Sequence, residues 1–291
     1  MAELIGGVGT SHVPAIGAAV DHGKTQEPYW KPVFDGMQAA RDWIARTRPD
    51  VCIVVYNDHA SCFSLELTPT FALGVASHYE PHDEGYGPRP VPRVEGAPEL
   101  SWHLAESLIL DEFDITIASQ MTVDHGLTVP LSVLFGQPES WPCRVIPLCV
   151  NVIQYPPPTG RRCLRLGQAI RRAVESFPGD LRVAVIGTGG LSHQLQGERA
   201  GLINAEFDQR WLDEFVAEPD KAAAHDHVEL LREAGSEGLE CVMWLVMRGA
   251  LQPEVEVVHR FYHVPASNTA YGLLVLEDAA RASRPQAAQP A

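Results

Sequence analysis

Three residues that lie far apart in the chain, His12, His59 and Glu240, have the composition of a metal site made of two histidines and one carboxylate. Such a ligand set leaves about half of an octahedral iron(II) ion open for a substrate and for dioxygen. Two further histidines, His125 and His193, lie in similar turns that contain glycine. If these five side chains converge, the sequence predicts an oxygen-activating site.

The four histidines share their position relative to predicted strands. Apolar and β-branched runs predict strands shortly before them, at 4–9, 51–56, 115–119 and 181–187. In open α/β sheets, ligands gather at the carboxyl ends of the strands. The alternative for any one of them is a structural histidine that is hydrogen-bonded to the backbone. Their repeated placement favours a common site.

Glu240 belongs to a predicted helix with a largely apolar face. Ser236 is the expected N-cap, which places Glu240 about one turn into the helix and aligns it with Met243, Trp244 and Met247. A carboxylate that faces a core is costly unless it is paired or bound to a metal. The positive end of the helix helps to keep it ionised. A capping or ion-pair role is the alternative.

Strands and helices alternate along the rest of the chain. Further helices are predicted at 30–46, 98–111, 129–135, 161–177, 204–216, 225–233 and 237–250, and further strands at 144–150, 255–262 and 271–276. Five prolines and three glycines at 79–98 predict a long loop without regular structure. This order predicts one α/β domain at 1–280, with three layers α/β/α around a mostly parallel or mixed sheet, and a disordered tail at 281–291.

Composition narrows the class of protein. The formal net charge is −15 and no basic run is present, which argues against binding to nucleic acid or to anionic membranes. No apolar stretch reaches the roughly 20 residues of a membrane span, and the N-terminus lacks the features of a signal peptide. Six scattered cysteines without a Cys-x-x-Cys pair indicate a reducing compartment. We therefore expect a cytoplasmic protein.

Other catalytic motifs are incomplete. Gly187-Thr188-Gly189 begins like a dinucleotide-binding fingerprint, but Ser192 occupies the position of the third glycine. The segment 190–194 lacks the closing glycine of a serine-hydrolase nucleophile elbow. Two histidines and one glutamate also suit zinc, so a zinc hydrolase is a further alternative.

Several longer stretches are specific enough to indicate a family. They are Tyr56-Asn57-Asp58-His59, Asp124-His125-Gly126, Gly187-Thr188-Gly189-Gly190-Leu191-Ser192-His193-Gln194 and Glu237-Gly238-Leu239-Glu240-Cys241-Val242-Met243-Trp244, with support from Pro265-Ala266-Ser267-Asn268-Thr269 and Asp111-Glu112-Phe113-Asp114. From Thr10 to Tyr271, the sequence resembles the catalytic β subunits of the LigB-type class III extradiol ring-cleavage dioxygenases, the family of protocatechuate 4,5-dioxygenase.

The resemblance implies a role for each of the candidate residues. It implies an iron(II) ion held by His12, His59 and Glu240. It also implies that His193 is the acid–base residue and that His125 assists near dioxygen or a substrate hydroxyl. In the same way, Ser267 and Asn268 match positions that contact the ring carboxylate of the substrate.

The implied activity is extradiol cleavage of a carboxylated catechol by dioxygen. Protocatechuate is the expected substrate, which would give 4-carboxy-2-hydroxymuconate semialdehyde, with gallate or 3-O-methylgallate as alternatives. Gallate dioxygenases of this family usually carry a fused helical domain, which 291 residues do not accommodate. The expected partner is a small helical α subunit, in an αβ pair or an α2β2 tetramer. A non-catalytic binding protein on the same scaffold is the alternative outside the enzymes.

Overall fold

Strands and helices alternate over residues 1–279, which are the residues that the computed structural model describes. The strands are β1 (Glu3–Thr10), β2 (Val51–Tyr56), β3 (Phe71–Gly74), β4 (His78–Tyr79), β5 (Val94–Glu95), β6 (Thr116–Ala118), β7 (Arg144–Val150), β8 (Arg182–Thr188), β9 (Val255–Ala266) and β10 (Thr269–Asp278). The helices are α1 (Pro14–Asp21), α2 (Lys31–Thr47), α3 (Pro98–Leu110), α4 (His125–Phe135), α5 (Gly160–Ser176), α6 (Ala205–Ala217), α7 (Pro219–Ala222), α8 (His227–Glu233) and α9 (Cys241–Ala250), with a 3-10 helix at Glu237–Glu240. The predicted tail at 281–291 lies outside the described residues.

Eight of the strands form one mixed sheet in the order β6-β3-β7-β2-β8-β1-β10-β9. The four central strands β7, β2, β8 and β1 run parallel to one another. Strand β10 is antiparallel to β1, and β3 is antiparallel to β7. All six residues of β2 are buried, as its continuous apolar sequence predicts for a strand covered on both faces.

The sheet separates two hydrophobic cores. Successive residues of β2 alternate between them, with Ile53 in the core beneath α5 and α9 and Val54 in the core beneath α1, α2 and α4. The predicted three-layer α/β/α architecture around a mixed sheet is confirmed. No helix among the described residues has the length and hydropathy to cross a membrane.

Parallel register brings the ends of the central strands to one edge. Thr10 at the end of β1 pairs with Thr188 at the end of β8, and Val55 of β2 pairs with Gly187. The segments that follow these strands therefore start side by side. This edge is where the sequence places His12, His59 and His193.

Several predicted elements need correction. Helix α1 and strand β3 were not predicted, because α1 is a short segment of small residues and β3 has four residues. The helix predicted at 129–135 begins at His125, since the Asp124 side chain caps it by accepting the Gly126 N–H at 2.8 Å.

Two further corrections concern segments near the site. The predicted helix at 237–250 begins as the 3-10 helix, and Ser236 makes no capping hydrogen bond, because its hydroxyl donates to the Glu237 carboxylate instead. The loop at 79–98 contains part of a two-stranded ribbon, in which β4 pairs with β5. Prolines and glycines limit this ribbon to two residues on each strand.

Candidate active site

Four histidines and Glu240 line one cavity at the carboxyl edge of the central strands. The cavity has a volume of about 620 Å³. Its lining includes all seven residues that the sequence singled out: His12, His59, His125, His193, Glu240, Ser267 and Asn268. The structure thus brings together side chains that are more than two hundred residues apart in the chain.

His12 is buried beyond the end of β1. Its Nδ1 lies 3.0 Å from the hydroxyl of Thr188, the last residue of β8. Its Nε2 lies 3.4 Å from Oε1 of Glu240. Burial is the largest influence on the imidazole and lowers the pKa of His12, despite the opposing charge of Glu240. Burial thus favours the neutral form of the ring, which is the form that a metal ligand requires.

Glu240 ends the 3-10 helix and is buried. Its Oε2 accepts the N–H of Gly190 at 2.7 Å and lies 4.0 Å from Nε2 of His193. Burial alone would raise the pKa of Glu240, but the charge and hydrogen bond of His12, then the charge of His193, hold that pKa well below its usual range. A side chain at Gly189 would place its Cβ 2.7 Å from that of Glu240, so glycine is required there.

His59 is held by a buried carboxylate. Its Nδ1 lies 3.1 Å from Oδ2 of Asp124, and its backbone N–H donates to the same oxygen at 2.7 Å. Burial lowers the pKa of His59, but the hydrogen bond and charge of Asp124 outweigh burial and leave the pKa raised. Burial would raise the pKa of Asp124, but the hydrogen bond and charge of His59 outweigh burial and hold that pKa well below its usual range.

His125 is the first residue of α4 and has a carboxylate partner of its own. Its backbone N–H donates to Oε1 of Glu84 at 2.9 Å, and its Nδ1 lies 2.5 Å from Oε2. The ring lies against that of His59, with the centroids 3.9 Å apart and the planes tilted by 31°. Glu84 was not predicted, because nothing local in the loop at 79–98 indicates a partner 41 residues further along.

His193 is fixed by the backbone. Its Nδ1 lies 2.9 Å from the carbonyl oxygen of Leu191, and its own N–H donates to the carbonyl of Ala234 at 2.8 Å. A carbonyl can only accept, so Nδ1 carries a proton and a neutral His193 has its lone pair on Nε2. That nitrogen is the one nearest to Glu240.

The turn before His193 is tied to a carboxylate that sequence reasoning missed. Asp208 of α6 is fully buried and accepts the Ser192 N–H at 2.9 Å and the Ser192 hydroxyl at 2.6 Å. Its Oδ2 also accepts the hydroxyl of Tyr262 at 2.7 Å. Burial raises the pKa of Asp208 in spite of these bonds.

Ser267 and Asn268 form the turn between β9 and β10 and line the same cavity. Ser267 adopts a positive φ of 62°, and its N–H donates to the hydroxyl of Tyr29 at 2.9 Å. The cavity lining is otherwise mostly apolar, with residues such as Val13, Val152, Ile153, Leu195 and Leu239. Such a lining suits an aromatic ring with a few polar substituents.

Two groups of side chains offer ligand atoms that lie within 4.8 Å of one another, His12 with His59 and His125, and Glu84 with Asp124 and His125. Glu240 adjoins the first group through His12, because its Oε1 is 3.4 Å from Nε2 of that histidine. Neighbouring ligands with bonds of about 2.1 Å lie about 3 Å apart. Imidazole and carboxylate donors fit iron(II) as well as zinc.

Comparisons with known proteins identify the family of this α/β protein. Residues 6–272 match the family described as the catalytic LigB subunit of aromatic ring-opening dioxygenase. A gallate dioxygenase from Pseudomonas putida is 46% identical over 196 residues. A 2,3-dihydroxyphenylpropionate/2,3-dihydroxicinnamic acid 1,2-dioxygenase from Comamonas testosteroni is 27% identical over 92% of this chain and 95% of that protein. The chain belongs to the LigB family.

Coverage differs among these similar proteins. The match to the Pseudomonas putida protein covers 67% of this chain and 57% of that protein, so the chain spans little more than half the length of that relative. A solved structure of an uncharacterized protein from Escherichia coli K12 has a TM-score of 0.59 at 13% identity, over 94% of this chain and 99% of that one. This second likeness supports the fold alone.

Proposed function

We propose that this protein is an iron(II)-dependent extradiol dioxygenase that opens the ring of a carboxylated catechol. The observation that supports this most is the meeting of His12, His59 and Glu240 in one cavity, with His193 beside Glu240. Membership of a family described by aromatic ring opening adds to it. Neither a zinc hydrolase nor a non-catalytic binding protein has comparable support.

Iron(II) would be held by His12, His59 and Glu240. When bound, such an ion supplies one coordination sphere in which the two oxygens of a catechol and dioxygen are held side by side. The hydrogen bonds of His12 to Thr188 and of His59 to Asp124 orient the two rings. The N–H of Gly190 fixes the carboxylate.

His193 would take and return a proton. With Nδ1 donating to the Leu191 carbonyl, Nε2 can accept the proton of a catechol hydroxyl in the cavity. Histidine does this well near neutral pH. His125 would contact dioxygen or a substrate hydroxyl from the side of His59. The positions of the two imidazole rings in the cavity and the membership of the LigB family support both proposed roles.

Protocatechuate is the first candidate substrate, with 4-carboxy-2-hydroxymuconate semialdehyde as its product. Ser267 and Asn268 would bind the ring carboxylate through neutral hydrogen-bond donors. Gallate is a second candidate, because a gallate dioxygenase is 46% identical over two thirds of this chain. 3-O-Methylgallate differs from gallate by one methyl group and belongs in the same test.

A small helical α subunit would cover the mouth of the cavity, in an αβ pair or an α2β2 tetramer. Exposed apolar side chains at the rim, Ile153, Leu195 and Leu231, give such a subunit an apolar surface to cover. We also propose a cytoplasmic location, which the six unpaired cysteines support.

The test is anaerobic loading of the protein with iron(II), followed by oxygen uptake on adding each catechol. We expect about one iron per chain, oxygen uptake and a yellow product with protocatechuate. Zinc-loaded protein is the control and should consume no oxygen. Iron-loaded protein that is joined to its α subunit and is inert towards every catechol would contradict the proposal. If gallate were turned over faster than protocatechuate, gallate would become the proposed substrate and the proposed reaction would stay the same.

A further inference from the structure

The first half of the loop at 79–98 contains a defined turn that packs against the start of α4. Its Asp83 carboxylate accepts the N–H groups of Gly85 at 2.9 Å and Gly87 at 2.8 Å, and both glycines have positive φ. On the other side, Val123 donates to the carbonyl of Glu80 at 3.0 Å. The turn that carries Glu84 is thus joined to the residues just before His125.

Arg89, in the middle of the same loop, anchors the loop a second time. Its guanidinium binds both carboxylate oxygens of Asp21 in α1, at 2.9 and 2.8 Å. It also donates to the hydroxyls of Thr128 and Ser132 in α4, at 3.1 and 3.2 Å. A bidentate pair of this kind fixes geometry as well as charge. The loop is therefore attached to α4 on both sides of Glu84.

Glu84 uses both of its carboxylate oxygens on one residue. Oε1 accepts the backbone N–H of His125 and Oε2 accepts from its Nδ1. The side chain of Glu84 is 27% exposed and that of His125 is 12% exposed, so neither is freely solvated. An ionised carboxylate only accepts, so Nδ1 carries the ring proton and Nε2 is the nitrogen left for the cavity.

We propose that Glu84 is a positioning residue that acts through His125. It fixes the rotation of the ring against His59 and keeps the proton on Nδ1, so that Nε2 faces the oxygen atoms of the diol or of dioxygen. The inference rests on the proposed function, since it assigns the loop at 79–98 to that same site. No contact of Glu84 with substrate is required.

Glu84→Gln is the informative variant. The amide keeps the length of the side chain but replaces one of the two oxygens by an NH2 group, which would face one of the two N–H groups that the carboxylate oxygens accept separately. We expect kcat for protocatechuate to fall about 10- to 100-fold, with KM and iron content within about twofold of wild type. Glu80→Gln, at an exposed position of the same loop, is the matched control and should leave kcat, KM and iron content unchanged.

A double-mutant cycle with His125→Ala shows whether Glu84 acts through that histidine. We expect Glu84→Gln to lower kcat by less than about twofold once His125 is alanine. An equal drop in both backgrounds would mean that Glu84 only holds the loop, and a loss of iron would mean that it acts on the metal. Either result would overturn the inference.

A second readout does not depend on turnover. NMR of the histidine ring nitrogens in metal-free protein should show His125 protonated at Nδ1 in wild type, and a mixture of tautomers in Glu84→Gln and Glu84→Ala. A wild-type His125 protonated at Nε2 alone would refute the positioning role, whatever the activity. An inactive wild type with the expected tautomers would instead contradict the proposed function and leave the placement of His125 supported.

Discussion

The two sides of the cavity hold their histidines by different means. His12 and His193 are buried, and their Nδ1 atoms are bonded to neutral groups, the Thr188 hydroxyl and the Leu191 carbonyl. His59 and His125 are partly exposed and are bonded to carboxylates, Asp124 and Glu84. A neutral partner fixes the direction of a ring, whereas a carboxylate also increases its basicity.

The difference follows from the elements on each side. Strands β1 and β8 are adjacent, so their register alone sets the segments that carry His12 and His193. His59 lies in the loop after β2 and His125 lies at the start of α4, and no sheet register joins these two segments to each other. Their carboxylates supply the missing connection, because Asp124 and Glu84 bind both the ring and the backbone N–H of their histidines.

Glu240→Ala should have the largest effect on the buried side. Removing this carboxylate should abolish metal binding and ring cleavage together, because the donor 3.4 Å from His12 Nε2 is lost. Elemental analysis of iron content after anaerobic loading measures the loss of metal binding. His125→Ala is the matched control and should keep its iron. The reverse result would make the three histidines the metal site.

His193→Ala should retain the metal and lose turnover. Removing the Nε2 base should lower kcat by about 100- to 10,000-fold, the usual contribution of a positioned acid–base group. Single-turnover kinetics on iron-loaded protein measure this, with the exposed His78→Ala as control. Loss of iron in His193→Ala would instead make this histidine a ligand.

Asp124→Asn tests the carboxylate side directly. We expect iron affinity to fall about 10- to 100-fold, because the amide removes the negative charge beside His59 and turns its NH2 group towards the N–H groups of either His59 or Gly126. Thr188→Val removes the neutral partner of His12 and should lower iron affinity by less than Asp124→Asn does. Anaerobic iron titration of both variants makes the comparison, and equal losses would show that the charge of the partner is unimportant.

Glu214 and His225 form a carboxylate–histidine pair outside the cavity, where the effect of such a pair on stability can be measured without a metal. Glu214 lies 2.7 Å from His225. Burial raises the pKa of Glu214, but the bonds to His225 and Lys221 outweigh burial and lower it from 4.5. Since the folded pKa is the lower one, its stabilisation is complete above pH 4.5 and is lost as pH falls through the folded pKa.

Glu214→Gln should therefore lower the free energy of unfolding by about 1 to 2 kcal/mol at neutral pH and by less below pH 4.5. Denaturant unfolding at several pH values measures the difference. A constant difference from pH 7 to pH 3 would show that the charge on Glu214 contributes nothing.

The residues of the site were easier to predict than their partners. His12, His59 and His193 follow strands whose apolar and β-branched runs are local signals, and the three-layer fold follows from the same alternation. The partners were not predictable, because Asp124 is 65 residues from His59 and Glu84 is 41 from His125. Prolines and glycines in the loop at 79–98 exclude long elements without showing what the turn presents.

Tyr29→Phe should have the smallest effect, at the turn that we propose binds the ring carboxylate. The Tyr29 hydroxyl accepts the N–H of Ser267 and lies 3.4 Å from the carbonyl of Pro265, so it holds this turn from outside the ring of histidines. Losing a hydrogen bond worth about 1 kcal/mol should raise KM for protocatechuate about fivefold and leave kcat unchanged. Catechol, which lacks the carboxylate, should show no change in KM. An equal rise for both substrates would mean that Tyr29 supports the whole cavity and not the proposed carboxylate contacts of Ser267 and Asn268.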